Sequence, residues 1–70
     1  MTEKITIIDS DDQPQWKVKL PNTQETFDWL HKEADNRYWI DQENMEMIEV
    51  VFQIEALADR SMEELPQLEL

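Results

Sequence analysis

Residues 46–57 read EMIEVVFQIEAL, and the conformation of this stretch decides the fold. In a strand, alternate residues share one face. That arrangement would collect an apolar face from Ile48, Val50, Phe52, Ile54 and Ala56. A helix instead leaves Ile48 and Phe52 off its apolar stripe. The β-branched and aromatic residues favour a strand, whereas Met, Glu, Ala and Leu favour a helix. We predict a third, longer strand over about 46–57 and keep a helix as the alternative.

Two shorter apolar segments precede this stretch. Residues 4–8 (KITII) and 16–20 (WKVKL) are rich in β-branched residues or alternate apolar with basic ones, which predicts two strands. Turn-forming residues DSDDQP separate them, so we predict a β-hairpin with Trp16, Val18 and Leu20 on one face. A two-stranded hairpin is marginal in water, and a third strand from 46–57 would stabilise it.

Capping signals predict the helical parts of the chain. Asn22, followed three residues later by Glu25, predicts the start of a helix over about 23–35. Residues 38–40 (YWI) predict either a short strand or a packed loop. Ser61-Met62-Glu63-Glu64 has the spacing of a second capping box, which predicts one or two helical turns before Pro66. The tail 66–70 is expected to fray.

The sequence therefore predicts an α+β fold in one small domain over 1–70: a small antiparallel sheet packed on one helix, with a short C-terminal helical turn. A hairpin followed by two helices is the alternative. A chain of 70 residues without cysteine has neither a disulfide nor a thiolate metal site to support its small core. Self-association is the usual remedy, so we expect a homodimer, formed through the third strand.

Charge is the most unusual property of the chain. Seventeen acids and six bases give a net charge of −11, and residues 41–70 carry nine of those acids with Arg60 as their single base. Phosphate contacts require Lys and Arg, which argues against direct binding to nucleic acid or acidic lipid. No apolar run approaches a membrane span. Without cysteines, a reducing cytoplasm is the expected location.

Catalysis and metal binding have little support in the sequence. The chain has no glycine for a phosphate-binding loop. It has one histidine, His31, which we interpret as a packed or half-exposed helix residue. Asp9, Asp11 and Gln13 begin like a calcium loop, but proline replaces the required glycine and the bidentate glutamate is missing. We expect a polar hairpin loop, no catalytic or metal site, no cofactor and no enzymatic activity.

The acid cluster is the remaining candidate site. Its simplest interpretation is a solvated face that keeps a small protein soluble. The functional interpretation is an ordered anionic row, because carboxylates lie about 6.5–7 Å apart on a strand face and about 5–6 Å apart at Cβ on a helix face. The predicted partner-binding residues are Asp41, Glu43, Glu46, Glu49, Glu55, Asp59, Glu63 and Glu64, with Asp9, Asp11 and Asp12 as a second cluster.

In size, charge and the placement of acids over 41–64, the chain resembles phage-encoded DNA-mimic proteins. The resemblance rests on no shared motif, so it assigns no residue a role. It implies an inhibitor that binds the basic surface of a host DNA-binding protein, such as the nucleoid protein HU, and competes with DNA in the bacterial cytoplasm. The alternative is an acidic antitoxin or immunity protein that neutralises a basic partner.

Overall fold

A computed structural model describes residues 4–8 and 10–65. One antiparallel sheet with strand order β1-β2-β4-β3 carries the helices on one face, which confirms the predicted α+β class. The elements are β1 Ile5–Ile8, β2 Pro14–Pro21, α1 Gln24–Trp29, a π-helical turn Leu30–Ala34, a 3-10 turn Asp35–Arg37, β3 Tyr38–Glu43, β4 Met47–Phe52 and α2 Glu55–Glu64.

The predicted hairpin is present as β1 and β2. These strands pair antiparallel from Ile5 opposite Lys17 to Ile8 opposite Pro14. Val18 and Leu20 are fully buried in the core, and Trp16 packs against it, as the alternation predicted. The connecting loop places Asp12 at φ 60, a left-handed conformation that aspartate tolerates better than most residues.

Strand β4 lies in the middle of the sheet, between β2 and β3. Ile48, Val50 and Phe52 are fully buried in the helix-covered core. Val51 points to the opposite, helix-free face and is also fully buried. A central strand with apolar contacts on both faces requires a nearly continuous apolar run, which is the physical reason for the consecutive residues VVF.

The predicted third strand is shorter than expected. It ends at Phe52 instead of residue 57, and α2 begins at Glu55, so the alternative with a second helix describes the rest of the segment. Ile54 is 38% exposed and does not extend the strand's buried face. From here the spacing of buried residues becomes helical, with Leu57, Ala58 and Ser61 facing the core.

Two capping assignments were wrong. Ser61 does not start a helix, because it lies inside α2 and its hydroxyl donates to the Ala58 carbonyl over 2.7 Å. Thr23, not Asn22, caps α1: its Oγ1 accepts from the Thr26 backbone N–H at 3.3 Å. The Asn22 amide instead donates to the Asn44 carbonyl at 2.6 Å.

The first helix ends where it was predicted to end. After Trp29 it widens into the π-helical turn Leu30–Ala34 and is interrupted at Asp35, whose φ is 40. A short 3-10 turn then leads to β3, so residues 38–40 form a strand. A bulge between Ile40 and Gln42 interrupts the pairing of β3 with β4.

The core lies between the helices and the sheet. The Trp29 and Phe52 rings meet edge to face, with centroids 6.3 Å apart and planes at 89°, a geometry that aromatic pairs prefer. Both edges of β4 are occupied by neighbouring strands. A second copy therefore cannot pair edge to edge with this strand, and the homodimer expected from the sequence stays a prediction. The tail 66–70, expected to fray, lies outside the described residues.

Phe52→Ala should lower the free energy of unfolding by about 3–5 kcal/mol, because it leaves a cavity and removes the contact with Trp29. Urea denaturation followed by tryptophan fluorescence measures this loss. Met45→Ala is the matched control, since Met45 is 95% exposed and its truncation should change stability by less than about 0.5 kcal/mol. Similar losses in both variants would contradict the central position of Phe52.

Candidate acidic interface

The predicted partner-binding carboxylates of 41–64 do not form one ridge. The sheet separates them into three groups. Asp41 and Glu49 lie on the helix-free face, and Glu43 and Glu46 lie at the β3–β4 turn. The third group, on α2, consists of Glu55, Asp59, Glu63 and Glu64. The expectation of one continuous row was wrong, because the segment crosses from a strand into a helix on the other layer.

The acids of the helix-free face lie beside lysines of the hairpin. The Lys17 ammonium is 3.0 Å from an Asp41 carboxylate oxygen. Its hydrogen bond to Asp41, helped by the nearby charge of Glu49, raises the pKa of Lys17. Glu49 itself lies opposite Lys19 in the strand register. This face therefore alternates in sign and presents no uniform negative surface.

Helix α2 does present an ordered row. Glu55, Asp59 and Glu63 follow one another at intervals of four residues and are all exposed, so they share one side of the helix with neighbouring Cβ atoms about 5–6 Å apart. Lys4 contacts the first two, at 2.9 Å from Glu55 and 2.7 Å from Asp59. These two hydrogen bonds raise the pKa of Lys4. We call the carboxylates of Glu55, Asp59 and Glu63 the α2 row.

Arg60 connects α2 to the first helix. Its guanidinium contacts Glu33 at 2.9 Å and Glu64 at 2.8 Å, and it lies 5.9 Å from the centroid of the Trp29 ring. The Trp29 indole N–H also donates to Glu64 over 3.2 Å. The hydrogen bond from Arg60, followed by that from Trp29, lowers the pKa of Glu64. Glu64 is thus engaged in joining the helices.

Sequence reasoning missed the residues that bind these acids. The spacing of Arg60 and Glu64, four apart on a helix, was a readable signal for an ion pair. Nothing local in the sequence placed Lys4 beside α2, because 51 residues separate it from Glu55. Trp29 and Glu64 are likewise 35 residues apart. Only the tertiary fold brings these partners together.

The β3–β4 turn is a second acidic feature. The Asn44 side-chain oxygen accepts from the backbone N–H groups of Glu46 and Met47, at 2.9 and 2.8 Å. The Asn22 backbone N–H donates to the Glu46 carbonyl at 3.1 Å and ties the turn to the start of α1. This ordered turn holds Met45, 95% exposed, between Glu43 and Glu46.

The second predicted cluster lies at the other end of β2 from this turn. Asp11 and Asp12 are exposed in the β1–β2 loop, and Asp9 lies outside the described residues. Pro14, after the loop, and Pro21, beside the start of β4, are seven residues apart along one strand, which corresponds to roughly 24 Å. The loop and turn therefore form no single patch.

Other kinds of site have weak structural support. A hollow of about 320 Å³ is lined by neutral residues: Gln13, Pro14, Gln15 and Gln53. Within residues 4–8 and 10–65, no three histidine or carboxylate side chains converge on a position that would hold a metal ion. No helix in this part of the chain has the length and apolar character to cross a membrane.

Comparison with known protein families, with curated proteins and with solved structures finds no match for this chain. Its function must therefore be inferred from its own charges and contacts.

Arg60→Gln should raise the pKa of Glu64 towards its ordinary value, because it removes the hydrogen bond that lowers it most. NMR titration of the side-chain carboxyl measures the shift. Lys19→Gln is the control: it removes the same charge from β2, whereas Glu64 lies on α2, and should leave the pKa of Glu64 in place.

The same variant tests the pH dependence of stability. A carboxyl whose pKa is lowered by folding stabilises the native state above its unfolded pKa, and this contribution is lost as the pH falls through the folded pKa. Arg60→Gln should therefore weaken the acid-induced decrease of the urea midpoint. An unchanged profile in both variants would show that the Arg60–Glu64 contact does not persist in solution.

Proposed function

We propose that this protein is a non-enzymatic inhibitor that binds the positively charged surface of a partner protein. The observation that carries the proposal is the α2 row, Glu55, Asp59 and Glu63, on the exposed side of one helix. More specifically, we propose that the partner is a host DNA-binding protein, HU-like or similar, and that this protein competes with DNA for the partner's basic surface. We place this action in the bacterial cytoplasm.

The charge balance supports binding to a basic partner. Lys4, Lys17 and Arg60 are held in ion pairs within the fold. The molecule keeps a net charge of −11, which attracts a cationic surface and speeds its association. Exposed ion pairs are worth little in water, so a partner's Lys or Arg can replace Lys4 at the α2 row.

The spacing of charges in the α2 row determines how closely it can imitate the phosphates of a DNA strand. Residues four apart on a helix rise by about 6 Å, so the α2 row spans about 12 Å with three charges. One DNA strand carries a charge every 3.4 Å or so along the axis. A single α2 row thus has roughly half that linear density. We expect it to engage two or three cationic groups of a DNA-binding groove, fewer than a full DNA site.

A second candidate is the neutralisation of a basic protein at a surface that does not bind DNA, as an antitoxin or immunity protein would do. The β3–β4 turn favours this possibility, because Met45 is exposed between Glu43 and Glu46. A methionine adds an adaptable apolar contact that a sugar–phosphate backbone lacks. Competition with duplex DNA separates the two candidates.

Neutralising the α2 row should weaken binding to a DNA-binding protein. The test variant is Glu55→Gln/Asp59→Asn/Glu63→Gln, and immobilised HU is the probe in a surface plasmon resonance measurement. We expect about a tenfold loss of affinity, equivalent to about 1.4 kcal/mol. Raising the salt concentration and adding duplex DNA should each release the unmodified protein from HU.

The matched control, Glu25→Gln/Asp28→Asn/Asp35→Asn, removes three exposed charges from the first helix and its end. The affinity of this control for HU should fall by less than about threefold, because long-range attraction alone is screened beyond roughly 10 Å at 0.1 M salt. Equal losses in the two variants would show that net charge matters and the α2 row does not. Binding to HU that DNA cannot displace would favour the second candidate.

A further inference from the structure

Met45 is the most exposed large apolar residue in the part of the chain that the structure describes, at 95%. The other two methionines within residues 4–8 and 10–65 are half-buried: Met47 lies in β4, and Met62 packs against the core from α2. Folding therefore shields two of these thioether groups from solvent and leaves the Met45 thioether open to it.

Hydrogen bonds on both sides of Met45 hold it in this position. Before it, the Asn44 backbone N–H donates to the Met47 carbonyl at 2.9 Å, and the Asn44 carbonyl accepts from the Asn22 side-chain amide at 2.6 Å. After it, the Glu46 backbone N–H donates to the Asn44 side-chain oxygen at 2.9 Å, and the Glu46 carbonyl accepts from the Asn22 backbone N–H at 3.1 Å. Because these bonds involve the backbone and two asparagine side chains, the turn keeps its shape whatever the chemical state of the Met45 sulfur.

We propose that Met45 is a reversible oxidation site and that its oxidant is an uncharged peroxide. A thioether reacts without first losing a proton, so its exposure governs how readily it is oxidised. Hydrogen peroxide carries no charge, so neither the net charge of −11 nor the neighbouring Glu43 and Glu46 repels it. The same charges oppose the approach of an anionic oxidant.

The reaction consumes one peroxide molecule for each sulfur. A lone pair of the Met45 sulfur attacks one peroxide oxygen, so that an S–O bond forms while the O–O bond breaks. The transferred oxygen gives up its proton to the departing hydroxide, which leaves as water. The sulfur is oxidised to a sulfoxide and the peroxide is reduced, and methionine sulfoxide reductases can restore the thioether. The change replaces an apolar side chain by a polar one in the β3–β4 turn, and it does not rest on the proposed function.

NMR spectra of the methionine methyl groups test this site while the folded protein is treated with hydrogen peroxide. The Met45 signal should decay at least about threefold faster than those of Met47 and Met62, because its sulfur is the most accessible. Met→Leu variants at each position assign the signals. In concentrated urea the three rates should converge, since unfolding removes the shielding of the other two.

Met45→Leu should abolish the fast phase of oxidation, whereas the matched control Met62→Leu should keep it. Oxidation confined to Met45 should leave the urea midpoint unchanged, and treatment with methionine sulfoxide reductases should restore the Met45 methyl signal. Equal oxidation rates for the three methionines of the folded protein would overturn the proposal. So would a lower urea midpoint after oxidation of Met45 alone, or a sulfoxide that the reductases cannot reduce.

Discussion

The burial of β4 on both faces is the constraint on which the structure depends. Phe52 and the other residues of β4 that share its face pack against the helices in the core, while Val51 is fully buried on the other face. This strand is also paired along both edges, with β2 on one side and β3 on the other. The outer strands of the sheet are therefore β1 and β3.

The position of β4 also explains why the acids separate. The chain leaves the sheet after Phe52 and returns as a helix over one face, so acids before that point lie on a different layer from those after it. Lys17 binds an acid of the first set, and Lys4 and Arg60 bind acids of the second. The chain has only six bases, so its negative charge is in large excess. The α2 row, although Lys4 contacts two of its members, and the β3–β4 turn both present exposed carboxylates to a partner.

Local patterns predicted those parts of the fold in which neighbouring residues carry the information. Alternation gave the hairpin and its buried residues Val18 and Leu20, and the first helix ended near its predicted limit. The start of α2 was missed for a physical reason: Ile54 occupies the cap position and makes no side-chain hydrogen bond there. Ser61, by contrast, has the sequence spacing of a cap but satisfies its hydroxyl within the helix.

The sequence by itself determined the α+β class, the hairpin, the strongly negative charge and its concentration after residue 41. These properties depend on composition and on periods of two to four residues, which can be read locally. Only the tertiary structure decided which acids remain available to a partner. That outcome depends on contacts such as Lys4 with Glu55, 51 residues apart, and no local pattern encodes a pairing across that distance.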